Sequence, residues 1–266
     1  MCYTGWRMTN KQSSTAKRRA DFYNHPEHSY PKFWEGREYE QASEEIAIKR
    51  LLKGKHFKTA ADIGGGYGRL CIFLEQYADN ITLAEPSQKQ LDFAKDLLQG
   101  HPRVNCLLTQ ADNLQLPDKS MDLLTMIRVM HHLPEPSKEF AELARVLKDD
   151  GYLVLELANN AHGRNRIKYA LKGKRIPTEP VDIRSPQYRT EEDIAFVNHN
   201  PRTIVRQLAH AGLKVEKVLS VSNLRSTTLK RIVPKPIMLG LEKILQPSLS
   251  RTYFGPSVFF LIKKAQ

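Results

Sequence analysis

The stretch DIGGGYG, Asp62 to Gly68, places four glycines within seven residues. Such a density lets a ligand approach the backbone closely and permits positive φ. The stretch closes a strand-like run, TAADIG, and opens a segment with Leu70, Phe73, Leu74 and Tyr77 at helical spacing. In open α/β sheets that junction faces the crevice where ligands bind. The spacing narrows the chemistry. A dinucleotide fingerprint starting at Gly64 needs glycine or alanine at position 69, where Arg69 stands. The phosphate-binding pattern GxxxxGK followed by Ser or Thr is absent. Asp62, Gly64, Gly66 and Gly68 instead form DxGxGxG. Cys2, Cys71 and Cys106 have neither metal-site nor disulfide spacing, so no metal and a reducing, cytoplasmic setting are expected.

The elements that must position this loop follow from periodicity. A helix is expected from Tyr39 to near Gly54 with Ala42, Ile46, Leu51 and Leu52 inward. Strands are expected at ITLAE, VNCLL, MDLLTMI (121–127) and YLVLEL (152–157). Helices marked by Leu91, Ala94 and Leu98, and by Phe140, Leu143, Ala144 and Leu147, separate them. Alternation of this kind implies βαβ units and a mainly parallel sheet. Residues 160–199 loosen the pattern and are expected as an insertion or lid. A helix around Ile204 and Leu208, the strand KVEKVLSV, a helix near Ile237 to Leu245 and a final strand SVFFLIKK complete the chain.

The chain has 266 residues and a formal net charge of +12, unevenly spread. Residues 1–20 carry +5 and are expected as a disordered basic tail. Residues 21–159 carry −6 and residues 160–266 carry +13. The basic half is read either as an incidental solvated surface or as one that attracts an acidic substrate, a nucleic acid or an anionic membrane. No apolar run approaches the roughly 20 residues needed to span a bilayer.

The DxGxGxG loop resembles the first motif of the class I S-adenosylmethionine-dependent methyltransferases. QADNLQLPDKSMDLL, MIRVMHHLPEP and ELARVLKDDGYLVLE resemble later blocks of that family, most closely its type-11 group. The resemblance covers roughly residues 39–158 well, as a cofactor-binding core within a single domain spanning 21–266. It implies a Rossmann-like α/β fold: a mostly parallel seven-stranded sheet flanked by helices, with the last strand antiparallel. It also implies S-adenosylmethionine as cofactor, with S-adenosylhomocysteine as product. By the same resemblance the cofactor-binding set is Asp62, Gly64, Gly65, Gly66, Gly68, Arg69, Glu85, Pro86, Ser87, Asp112, Asn113 and Arg128, with Arg37 on the methionine carboxylate. Glu85 would accept bonds from the ribose hydroxyls and Asp112 from the adenine amino group. Glu85, at a strand end, is expected to add little to core packing.

Transfer from a sulfonium needs a nucleophile aligned about 3–3.5 Å from the methyl carbon in a dry site. A general base helps when the acceptor is a hydroxyl or an acidic carbon. His131 is the candidate for that role, and His132 is read mainly as packing. The aromatic run before the first strand resembles the family's cover over the site, so Tyr23, Tyr30 and Trp34 are expected to face substrate together with the two histidines. RVMHHL stands where base-amine methyltransferases carry an Asn/Asp-Pro-Pro-aromatic motif, which argues against that substrate class. A small acidic or aromatic molecule ranks first as acceptor, then a lipid-like substrate at an anionic membrane, then RNA. A non-catalytic cofactor-binding relative and a nicotinamide oxidoreductase are the competing readings. Oligomeric state stays open.

Overall fold

The computed structural model describes residues 23–24, 34–185, 189 and 195–265. The basic tail, Tyr30 and part of the aromatic run lie outside the described residues.

Seven strands form one sheet in the order β3-β2-β1-β4-β5-β9-β8. They are β1 (Phe57–Ile63), β2 (Ala78–Glu85), β3 (Val104–Leu108), β4 (Met121–Met126), β5 (Leu147–Ala158), β8 (Leu213–Val221) and β9 (Ser257–Lys264). The first five strands pair in parallel, and β9 slots antiparallel between β5 and β8. The sheet is thus the one the sequence implies. The helices are α1 (Glu38–Leu51), α2 (Cys71–Leu74), α3 (Gln88–Leu97), α4 (Ser137–Val146), α5 (Gly163–Leu171), α6 (Pro201–His210), α7 (Thr227–Ile232) and α8 (Lys235–Ser248).

The central strands are apolar on both faces because both faces are covered. Ala60, Leu83, Leu123, Val154 and Phe259 point into a core shared with α1, α2 and α3. Their neighbours Ala61, Ala84, Leu124, Leu155 and Phe260 point into a second core with α4 and α6. Register brings Asp62 beside both Leu83 and Thr125. Strand order reverses between β1 and β4, so the loops after β1, β2, β3 and β4 converge on one crevice.

Three local expectations are corrected. The inner face of α1 is rotated: Ser43, Glu44, Ala47 and Ile48 are buried, while Ala42 and Ile46 are only half-buried. The inward position of Glu44 is set by ion pairs described below. The helical spacing after the glycine loop yields only the four-residue α2, because β2 begins at Ala78, with Phe57 N–H donating to the Tyr77 carbonyl at 2.8 Å. Finally, β5 starts five residues earlier than its apolar run. Residues 160–199, expected as an insertion, hold α5 and a two-stranded ladder of β6 (Val181–Asp182) and β7 (Val197–Asn198).

Candidate active site

The glycine loop is shaped from beneath. Gly64 has φ +68°, donates its N–H to the Ala84 carbonyl at 2.7 Å, and would place a Cβ 2.6 Å from Val129 Cγ2. A Cβ on Gly65 would sit 2.5 Å from Asp62 Oδ2. Side chains are therefore excluded at both positions. Asp62 is buried, and its Oδ1 accepts from Thr125 Oγ1 at 2.6 Å. Burial pushes its pKa up to about 6, against the opposing pull of Thr125 and Arg69. Asp62 thus braces the loop from below.

Glu85 closes β2 opposite the loop. Its two oxygens accept from Gly66 N–H at 2.9 Å and Ser87 N–H at 3.0 Å. It is 4% exposed, and burial raises its pKa to about 7 although both N–H groups favour the charged form. Ser87 caps α3 by accepting from Gln90 N–H at 3.2 Å, while its hydroxyl donates to Asn24 Oδ1 at 2.7 Å. That Ser-x-x-Gln pair is a capping-box signature in the sequence.

A cleft opens above these residues. Its wall includes Gly64, Gly66, Glu85, Pro86, Asp112, Arg128, Tyr23 and His132 from the expected set. Gln90, Gln110, Ala111, Val129, Leu133 and Glu139 also line it and were not anticipated. Asp62, Gly65, Gly68, Arg69, Ser87, Asn113, Arg37, Trp34 and His131 are not among the lining residues. Gly68 shares the loop with φ +81°, and Asn113 shapes the turn after β3, where its carbonyl accepts from Thr109 Oγ1 at 3.1 Å. Arg37 is the residue before α1 and donates its N–H to the Trp34 carbonyl at 3.1 Å.

The donor-rich S-adenosylmethionine fits this wall. Glu85 and Asp112 supply carboxylate acceptors, and Gln90 Oε1 is buried with no hydrogen-bond partner among the described residues. Ala111, Val129 and Leu133 add apolar surface. These residues would hold the ribose and adenine parts. Among the described residues no group of three or more His, Cys, Asp or Glu is arranged to hold a metal ion.

Arg128 of the cleft wall belongs to a buried ion-pair cluster. Glu44 of α1 is 0% exposed and takes Arg69 Nη2 at 2.8 Å and Arg128 Nε at 2.6 Å on its two oxygens. Both guanidinium groups stand over the Trp34 ring, at 3.7 Å and 5.2 Å from its centroid. The Arg128 N–H donates to Glu156 Oε2 at 3.0 Å, with φ at +63°. Trp34 and Arg69 therefore support Arg128 from behind.

On the same wall, Tyr23 Oη lies 2.6 Å from His132 Nε2, and His132 Nδ1 lies 3.1 Å from the Ala195 carbonyl. A carbonyl only accepts, so Nδ1 carries the proton and Nε2 accepts from the tyrosine hydroxyl. His131 stacks on Phe196 at 5.2 Å and touches the His132 ring at 3.9 Å. Burial and its neighbouring histidine and arginine hold the His131 pKa well below the ordinary imidazole range. Of the two histidines it is His132 that reaches the cleft. His131, the expected candidate, is not among the lining residues, although its ring lies against that of His132.

The sheet order and the glycine loop at its switch point define the class I S-adenosylmethionine-dependent methyltransferase fold. Residues 61–155 match the family described as "Methyltransferase domain". An uncharacterized methyltransferase of Bacillus subtilis is 30% identical over 96 residues, 35% of this chain and 38% of that protein. A ubiquinone/menaquinone biosynthesis C-methyltransferase of Campylobacter jejuni is 32% identical over 115 residues, 41% of this chain and 47% of that protein. The matches thus span under half the length of these curated relatives. A crystal structure of an S-adenosylmethionine-dependent methyltransferase from Thermotoga maritima, titled a possible histamine N-methyltransferase, aligns with TM-score 0.61 at 20% identity. It covers 89% of this chain and 95% of that one. The cofactor of the family is S-adenosylmethionine.

Proposed function

We propose that this chain transfers a methyl group from S-adenosylmethionine to a small acidic or aromatic molecule. The observation that carries the reading is Glu85, fixed by two backbone N–H groups on the same cleft wall as Asp112 and the glycine loop. When bound, the cofactor supplies an electrophilic methyl group on a sulfonium. The protein's own part is orientation, exclusion of water and proton management at the acceptor. Glu85, Asp112 and the loop glycines hold the nucleoside, and Arg128, braced by Glu44, takes the methionine carboxylate. Residues 160–199 act as the lid, since Ala195 anchors His132 and Phe196 lies against it.

An aromatic acceptor is supported by the quinone-biosynthesis relatives, one a C-methyltransferase and one a ubiquinone biosynthesis O-methyltransferase. An acidic one is supported by a second cleft lined by Arg166, Arg202 and Arg206, with no carboxylate among the described residues of its wall. The segment 195–200 touches a wall residue of the first cleft, through Ala195 bonded to His132, and lines the second through Asn200. Within the described residues no helix is long and apolar enough to cross a membrane. A cytoplasmic location is part of the proposal, supported by the free thiols of Cys71 and Cys106.

The Tyr23–His132 pair is proposed as the proton acceptor for the substrate. Tyr23→Phe and His132→Asn should each lower turnover about 10²–10⁴-fold. Their dissociation constant for S-adenosylmethionine should stay within about threefold of wild type, because neither group belongs to the acceptor set assigned to the nucleoside. Transfer of a labelled methyl group to a panel of phenolic and carboxylic acceptors, with calorimetry alongside, measures both quantities. Unchanged turnover in both variants would remove the pair from the reaction. Absence of labelled product with every acceptor, despite tight cofactor binding, would favour the non-catalytic reading.

A further inference from the structure

The C-terminal helix α8 is turned the opposite way from an ordinary surface helix. Two of its three buried residues are polar: beside Met238, Glu242 and Gln246 are both 0% exposed. Glu242 accepts from Tyr39 Oη at 2.8 Å and from Asn223, and Gln246 donates to the Ser43 carbonyl at 2.9 Å. Its outer side carries Ile237, Leu241 and Ile244 at i, i+4 and i+7, exposed by 56%, 46% and 64%. Ile232 at the end of α7 adds a fourth apolar side chain, 73% exposed. A soluble helix normally has the reverse arrangement, and a contiguous exposed apolar stripe marks an interaction surface.

The charges around the stripe identify what it meets. Residues 225–251 hold six basic residues and one acid, Glu242, which faces inward. Arg231, Lys235, Lys243 and Arg251 are exposed and form no ion pair among the described residues. An apolar stripe rimmed by cations suits an anionic bilayer surface, where aliphatic side chains enter the acyl boundary and cations meet headgroup phosphates. A second copy is a poor occupant, because each chain carries +12 and two such faces would set cation against cation. Helix α5 repeats the chemistry, with Ile167 and Leu171 exposed beside Arg164, Lys168 and Lys172. It is tied to the segment after α8, since Gly163 N–H donates to the Phe254 carbonyl at 2.8 Å.

We infer that the α7–α8 face docks the protein on an anionic lipid surface, with Ile232, Ile237, Leu241 and Ile244 inserted and the neighbouring Lys and Arg residues on the headgroups. The inference does not depend on the identity of the methyl acceptor, and its test needs no turnover.

The test is co-sedimentation of the full chain with phosphatidylcholine vesicles, with and without added phosphatidylglycerol. Binding is expected only to the anionic vesicles and should fall as salt rises. The variant Ile237→Ser/Leu241→Ser/Ile244→Ser should partition at least tenfold more weakly. The variant Arg231→Gln/Lys235→Gln/Lys243→Gln should lose about fivefold per residue, over a hundredfold in all. Both change exposed side chains only, so thermal melting checks that each is folded. Equal binding to neutral and anionic vesicles would overturn the inference, as would full retention of binding by either folded variant. A wild-type dimer in light scattering that becomes a monomer in the serine variant would assign the face to a second copy instead.

Discussion

Replacing Glu85 by alanine is expected to weaken S-adenosylmethionine binding by one to three orders of magnitude and to lower the melting temperature of the free protein. The first effect comes from lost hydrogen bonds between ribose hydroxyls and a charged acceptor, worth roughly 1.5–3 kcal/mol each, partly replaced by water. The second departs from the expectation that this strand-end acid adds little to the fold. Its carboxylate holds the N–H groups of Gly66 and Ser87, and it is almost fully buried. Leaving two buried donors unsatisfied costs about 1–3 kcal/mol each, which for a chain of this size lowers Tm by roughly 5–15 °C. Glu85→Gln keeps the volume and one oxygen, so it should melt closer to wild type. Saturating wild type at about 100 times its Kd should add roughly 2.7 kcal/mol and raise Tm by roughly 5–10 °C. The glutamine variant should show little of that rise. A variant that keeps the whole rise would mean the ribose is held elsewhere.

The same residue makes binding depend on pH. Burial raises Glu85 to about 7 in the free protein, above the usual carboxylate value, so its contribution to stability is complete at low pH and is lost as pH climbs through about 7. Ribose hydroxyls favour the ionised form. Affinity should therefore fall as pH drops below about 7, approaching tenfold per unit. A dissociation constant flat from acidic to alkaline pH would contradict the assignment.

Glu44→Gln should have the largest effect on stability. Glu44 is the shared counter-ion of Arg69 and Arg128, whose side chains are only 9% and 13% exposed. Glutamine keeps the shape but removes the buried charge that the two guanidinium groups share. Breaking a buried pair in this way costs about 3–5 kcal/mol, or roughly 6–20 °C in Tm. Arg128 also lines the cleft, so cofactor affinity should fall together with stability. A glutamine variant that melts within about 2 °C of wild type would show that the cluster contributes little net stability.

The sheet was legible because its strands and helices alternate in period, and the loop because glycine spacing reports backbone requirements directly. Glu85, Asp112, Gly64 and Gly66 reach the cleft because they sit at strand ends, which sequence can place. What was hidden depends on tertiary partners. No periodicity signals that α1 turns Glu44 inward, because arginines 25 and 84 residues further along hold it there. His131 and His132 are adjacent in sequence, and only the tertiary structure shows that His132 lines the cleft, with its Nδ1 held by Ala195. Gln90 carries a readable capping signal with Ser87, but the aim of its side chain emerges only from the fold.

The central claim is that the glycine loop and Glu85 bind S-adenosylmethionine. Calorimetric titration of the whole chain with S-adenosylmethionine, S-adenosylhomocysteine and the nicotinamide dinucleotides tests it most directly. Micromolar binding of the first two, with no heat from the dinucleotides, is the predicted result. Dinucleotide binding with both sulfur nucleosides silent would contradict it.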